Sequence, residues 1–339
     1  MKIALDAMGG DFAPREIVLG AVRAARKTKS ELAIVLVGDE KKIREELKSE
    51  KGWENLPISI HHAGEVISMN EHPAEAIRQK KDASVVVATR LVKDGECDAV
   101  LSAGSTGAAV TAAQLILKRI KGVSRPAIAT PMPTPMGVTL LLDSGANVDS
   151  KPEHLLQSAL MGSIYAEHVL GKNTPRVGLL NIGEEETKGN EQAKETYQLL
   201  KQISTINFVG NAEGRDIPKG NFDVVVCDGF VGNVVLKFAE GMAVTFFELI
   251  REAILNGGVF AKMGALLLRP TLRKLGKRLD VDEYGGAPLL GVNGCCIISH
   301  GSSNAKSIEN AIKAAGDYVH RDVLAHIQNA LVKGGDVAE

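Results

Sequence analysis

The stretch Cys227–Lys237 reads CDGFVGNVVLK, and it sets Asn233 and Lys237 four residues apart. On a helix that spacing puts a side-chain amide and an ammonium on one face, about one turn from each other. Such a pair suits an anion, either a phosphate or the oxyanion that forms when a nucleophile attacks a carbonyl. A second group of the same character, Glu184, Lys188 and Asn190, lies within GEEETKGN at 183–190. The apolar run Phe222–Val226 ahead of the first group predicts a buried strand. Asp228, Gly229 and Gly232 then fall in the turn at its carboxyl end, with Asn233 expected to cap a helix over Val234–Leu255. The plainer reading is that Asn233 only caps and Lys237 is solvated.

The same kind of junction recurs along the chain. Ile3–Leu5 predicts a strand that ends in Asp6-Ala-Met-Gly9-Gly10-Asp11, before a helix through Ile17, Val18, Ala21, Val22 and Ala25. Ala99–Leu101 ends in SAGSTGA, which supplies Ser102, Gly104, Ser105, Thr106 and Gly107 ahead of a helix over Val110–Ile120. Val138–Leu142 ends in DSGAN and Arg176–Leu180 in NIGEEETKGN. Cys296–Ser299 ends in HGSSNAKS, with His300, Gly301, Ser302, Ser303 and Asn304. Strands alternating with helices predict an α/β protein, a mostly parallel sheet covered by helices on both faces. Ligands in such sheets bind outside the carboxyl ends of the strands. Helix N-termini there offer N–H donors and partial positive charge, so the expected ligand is phosphate, with the hydroxyls as further donors. The competing reading is that each Ser or Thr merely caps its helix.

Missing motifs narrow the chemistry. Gly301–Ser307 has the Lys-Ser ending of a P-loop but no glycine before Lys306, and no G-x-G-x-x-G follows a strand. There is no G-x-S-x-G elbow and no His/Cys zinc spacing. His300 is the one histidine in a strand-end turn. With 339 residues, 45% hydrophobic and 24% charged, the chain can bury a large core in one domain or two lobes around a cleft. A net charge of −1 gives no footprint for nucleic acid. The four cysteines, two of them adjacent at 295 and 296, read as free thiols of a reducing compartment. No uninterrupted run reaches the ~18 apolar residues of a membrane span, and no signal peptide is seen, so a cytoplasmic protein is expected. A reaction that needs phosphate but no enzymic nucleophile, metal or dinucleotide makes phosphate itself the attacking group.

DAMGGDFAP, SAGSTGA, GEEETKGN, CDGFVGNVVLK and SHGSSNAKSI occur in this order, and together they resemble the bacterial phosphate acyltransferases of the PlsX type from residue 1 to about 330. The resemblance implies a fold like those of isocitrate and isopropylmalate dehydrogenases and phosphotransacetylases. It implies the reaction of acyl-[acyl carrier protein] with orthophosphate, giving acyl phosphate and free carrier protein for bacterial phospholipid synthesis. It also implies a homodimer, no cofactor, and a membrane glycerol-3-phosphate acyltransferase downstream as a further partner. Three alternatives stay open: a phosphotransacetylase using acyl-CoA, a metal- and NAD-dependent decarboxylating dehydrogenase of the same fold, and a non-catalytic scaffold for carrier protein. Asp6, Asp11, Asp143, Glu184 and Asp228 are the acids that keep the metal reading open.

One segment stands apart. Residues 253–279 contain Lys262, Arg269, Arg273, Lys274, Lys277 and Arg278 and no acid, with Phe260, Met263 and Leu267 at helical spacing and Pro270 expected to interrupt the pattern. This predicts a basic, apolar helical hairpin, turning at Gly257-Gly258. It would pack against a second subunit, lie peripherally on the anionic inner face of the cell membrane, or receive an acidic carrier protein.

Overall fold

The computed structural model describes residues 1–28, 31–279 and 283–335, except for the side chains of 278, 279 and 332–335. Its strands are β1 (Lys2–Asp6), β2 (Ala33–Gly38), β3 (Ile58–His62), β4 (Ala99–Ser102), β5 (Ala127–Ile128), β6 (Thr130–Thr134), β7 (Gly137–Leu142), β8 (Arg176–Asn181), β9 (Asn207–Glu213), β10 (Val224–Val226), β11 (Ala287–Leu290) and β12 (Cys295–Ile298). Its helices are α1 (Arg15–Thr28), α2 (Glu40–Lys48), α3 (Pro73–Gln79), α4 (Ser84–Lys93), α5 (Thr106–Ala112), α6 (Pro152–His168), α7 (Glu191–Gln202), α8 (Gly229–Asn256), α9 (Gly258–Leu279), α10 (Ala305–His320) and α11 (Val323–Gly335).

The strands form two sheets where the sequence pattern alone implied one. A seven-stranded sheet has the order β3-β2-β1-β4-β12-β11-β5, and a five-stranded sheet the order β6-β7-β10-β8-β9. Pairing is parallel except where β11 meets β12 and β5, and where β6 meets β7. The chain crosses between the sheets at Ala129, the one residue between β5 and β6, and the Ser144 N–H beyond β7 reaches back to the Ile128 carbonyl. A two-residue β5 and a β6 broken by Pro131 and Pro133 carry too little pattern to announce a change of sheet.

Alternation along β1 shows why helices cover both faces of the larger sheet. Ile3 and Leu5 join one buried cluster with residues of α1 and α10, whereas Ala4 joins another with residues of α4 and α5. Successive side chains of a strand point to opposite faces, so a strand apolar at every position must be covered twice. The turns that follow the parallel strands are rich in Gly and Ser, and those after β4, β7 and β12 border one cavity.

Two expectations about the helices are corrected. α8 begins at Gly229, not Val234, because the Asp228 carboxylate accepts the Val231 N–H and supplies the cap. Asn233 is therefore a residue of the second turn and caps nothing. The hairpin does turn at Gly257-Gly258, but α9 runs through Pro270 to Leu279 and the first arm is the whole of α8. α8 is also long and apolar enough to cross a membrane, with a mean hydropathy of 1.4 over a window that is 6% buried. Single charged residues break its apolar runs, so counting unbroken runs missed it.

Candidate functional site

Asp6 is 2% exposed and Ser102 3%. The Ser102 hydroxyl donates to Asp6 Oδ2 at 2.7 Å and accepts the Gly104 N–H at 3.1 Å, while the Met8 N–H reaches Asp6 Oδ1 at 3.2 Å. Burial pushes the Asp6 carboxyl above its usual range, against the pull of these donors. A Cβ on Gly9 would stand 2.5 Å from Asp6 Oδ2 and 2.8 Å from the Gly104 nitrogen, so the β1 and β4 turns touch only because both residues are glycine. The β12 turn joins them through Asp11 N–H to the Gly301 carbonyl at 2.8 Å and Ser299 N–H to the Ser102 carbonyl at 2.9 Å.

In the smaller sheet a second buried carboxylate does the corresponding work. Asp143, 1% exposed, accepts the N–H groups of Ile128, Gly145, Ala146 and Asn147 and the Asn147 side-chain amide, at 2.7–3.1 Å. Burial raises its pKa too, opposed by these same donors. The loop it organises receives the start of α8: Gly229 N–H donates to the Asn147 carbonyl at 2.8 Å. A Cβ at Gly232 would run into the Asp143 carbonyl oxygen. Those glycines exist for close packing, and the packing aims the next residue, Asn233, at the cleft.

A cavity of about 890 Å³ opens between the turns of the two sheets. Thr106 and Gly107 at the start of α5, His300 and Ser302 before α10, and Asn233 and Lys237 on α8 all line it. The expected donor sets of three separate junctions thus meet at one place. His300 Nδ1 lies 2.7 Å from Ser302 Oγ and accepts the Ser302 N–H at 3.2 Å, so in the neutral ring the proton sits on Nε2.

Other expected ligands have different work. Asp6, Gly9, Ser102, Gly104 and Ser105 border a separate cavity of about 10 Å³, room for about one water and not for phosphate. Ser105, Asn190, Asp228 and Asn304 cap α5, α7, α8 and α10 through their side chains. Gly10, Asp11, Gly301, Gly229 and Gly232 shape the turns without lining the large cavity. Glu184 and Lys188 are exposed beyond β8 and do not line it either. Sequence reasoning missed Thr130, Ser144 and Gly145, which do. The signal for the last two was present, since DSGAN is one more Gly- and Ser-bearing strand end; nothing in Thr130 alone points to its place 2.5 Å from the Ser144 hydroxyl.

The acids of the metal reading do not converge. Asp6, Asp143 and Asp228 are each engaged locally, as described above. Among the described residues, one carboxylate group, Glu184, Glu213 and Asp216, brings its oxygens within 4.8 Å of one another. It already carries cations: Arg215 pairs with Glu213 and stands 3.8 Å from Glu184, and Lys219 is 3.2 Å from Asp216. On α9, Phe260 is 88% and Leu267 81% exposed, and Met263, Arg273, Lys274 and Lys277 are exposed as well. The side chain of Arg278 lies outside the described residues.

Comparison with known proteins agrees with this architecture. The chain is 19% identical to a phosphotransacetylase from Streptococcus pyogenes, with a TM-score of 0.60 over 94% of each chain. A branched-chain phosphotransacylase from Enterococcus faecalis aligns with a TM-score of 0.56 at 15% identity, over 94% of this chain and 99% of that one. These likenesses concern the fold. In sequence, the chain is 56% identical over 332 residues to a phosphate acyltransferase of Desulfitobacterium hafniense, covering 98% of both proteins. It is 55% identical over 333 residues to one of Pelotomaculum thermopropionicum, covering 98% of this chain and 95% of that protein. A family profile described as "Fatty acid synthesis protein" matches residues 1–326. The chain belongs to this family, the phosphate acyltransferases of the PlsX type.

Proposed function

We propose that the enzyme catalyses attack of orthophosphate on the thioester carbonyl of acyl-[acyl carrier protein], releasing acyl phosphate and free carrier protein for bacterial phospholipid synthesis. The observation that carries this reading is the meeting of Asn233 and Lys237 with the turns at Thr106 and Ser302 in one cavity. A phosphate oxygen forms the new C–O bond, the carbonyl becomes a tetrahedral oxyanion, and the C–S bond then breaks. The Lys237 ammonium and the Asn233 amide hold the negative charge of the phosphate and of that oxyanion. Thr106 and Ser302 offer hydroxyl donors to the phosphate. His300, with its Nδ1 occupied, presents an Nε2–H that can hydrogen-bond the leaving thiolate, and the proton the thiolate takes up is the one the attacking hydrogenphosphate gives up. Much of the acceleration is then orientation and preorganised charge. Lys188, Glu184 and Asn190 follow β8, two strands from β7 in the same sheet, outside the cavity, and the step written here does not use them.

The α8–α9 hairpin supports the remaining parts of the reading. Its outward face carries Phe230, Val234, Phe238, Phe246 and Leu249 on α8, all exposed, as a homodimer contact. The cations of α9, with Phe260 and Leu267 beside them, suit peripheral attachment to anionic lipid at the inner face of the membrane, near a glycerol-3-phosphate acyltransferase. They suit an acidic carrier protein equally well. The donor is tested by offering purified enzyme equal concentrations of palmitoyl-[acyl carrier protein] and palmitoyl-CoA with phosphate. Faster thiol release from the carrier thioester is expected; preference for the CoA thioester would move the assignment to a phosphotransacetylase.

A further inference from the structure

The large cavity is much bigger than phosphate and a thioester carbonyl require. From the Asn233 and Lys237 end it continues along α8, where Leu236, Glu240, Ala243, Val244 and Phe247 line it. These positions, at steps of four, three, one and three, form a single stripe on the helix. Past Glu240 the stripe is wholly apolar. Pro131 of β6 and Gly276 near the end of α9 also border the cavity.

We propose that the acyl chain of the substrate lies in this groove along α8, from Leu236 to Phe247, and that Ala243 and Gly276 set the longest chain accepted. The proposal rests on the function proposed above, because that function supplies an acyl group at the Asn233 end. Its length argument is independent of it. The eleven helical steps from Leu236 to Phe247 span about 16 Å. A bilayer core, two acyl layers deep, is about 30 Å thick, so one long tail needs about 15 Å. The volume also agrees, since drug-sized ligands occupy pockets of about 300–1,000 Å³. The carbonyl would sit beside Asn233 and Lys237, the first methylenes would pass Leu236, and the chain end would meet Phe247. Glu240 is then the one acidic side chain the early methylenes pass, and the wholly apolar part of the groove begins beyond it. This stripe is distinct from the outward face of α8 that carries Phe238 and Phe246.

Gly276 allows a clean test, because a Cβ built there meets nothing within 4 Å. A Gly276→Phe side chain therefore starts in open space at the border of the groove, and Ala243→Phe fills it from α8 as a second variant. Phosphate-dependent thiol release is measured with butyryl and palmitoyl carrier-protein thioesters, and binding of a fluorescent long-chain fatty acid is measured in parallel without turnover. Each variant is expected to lose about tenfold or more in kcat/KM for the palmitoyl donor. It should keep its butyryl rate and bind the fatty acid correspondingly more weakly. An unchanged palmitoyl-to-butyryl ratio in an active enzyme, or an equal loss on both donors, overturns the groove. Parent enzyme that binds the fatty acid, loses that binding in both variants, yet releases no thiol with phosphate would uphold the groove and refute the proposed reaction instead.

Discussion

The strand-end turns and the α8–α9 hairpin are built on opposite plans. The turns are knit by two buried carboxylates, Asp6 and Asp143, which hold backbone so close that a Cβ on Gly9 or Gly232 has no room. The hairpin leaves large apolar side chains in the open, Phe260 and Leu267 among them. Only α8 belongs to both, with its first turns clamped on the Asp143 loop and its remainder free of the sheets. Positioning groups to a precise geometry requires rigid, saturated hydrogen bonding, whereas a surface that meets a second body keeps its apolar area unspent until it does.

Substitutions divide the two plans. Lys237→Ala removes a charge from the clamped part of α8 without touching its packing. Turnover should fall about 10²–10³-fold, while the melting temperature stays at the parent value; normal turnover would take Lys237 out of the site. Gly232→Ala does the reverse. Its methyl collides with the Asp143 carbonyl, so urea unfolding should show a loss of about 1–3 kcal/mol. Unchanged stability would mean that the loop and α8 are not clamped. In the hairpin, Lys274→Glu with Lys277→Glu should leave melting intact and release the protein from anionic vesicles, at about 1 kcal/mol per lysine removed from the surface. Retention in a vesicle flotation assay would confine the hairpin to contacts between proteins. The smallest effect concerns the thiols. Cys97, Cys227, Cys295 and Cys296 are buried, and burial pushes the Cys296 thiol up to about 12. Near neutral pH they remain protonated, so a thiol reagent should label the folded protein slowly and the urea-unfolded protein fully.

Much of the architecture was legible because parallel strands buried on both faces are continuously apolar and their turns are not. Ile3–Leu5, Ala99–Leu101 and Val138–Leu142 each fall inside a strand of the structure. The start of α8 was misread because Gly229 and Gly232 look like turn formers; their cause is tertiary, a loop more than eighty residues earlier that no local pattern reveals. Capping and ligand binding call on the same residue types, so Ser105, Asn190 and Asn304 were indistinguishable from phosphate ligands until their partners were visible. Asn233 and Lys237 line one cavity as their spacing predicts, because helical spacing survives a five-residue error in the helix start. The groove beyond them was invisible in the sequence, since its stripe on α8 is interleaved with the equally apolar outward face.

The central claim is that phosphate is the attacking group in the cavity that holds Asn233 and Lys237. Its most direct test measures thiol release from palmitoyl-[acyl carrier protein] by the purified enzyme with no added anion, with phosphate, and with arsenate. Release should depend on either anion and should continue to completion with arsenate, because an acyl arsenate hydrolyses and cannot return its acyl group. Equal release with and without the anions would identify water as the acceptor and contradict the account.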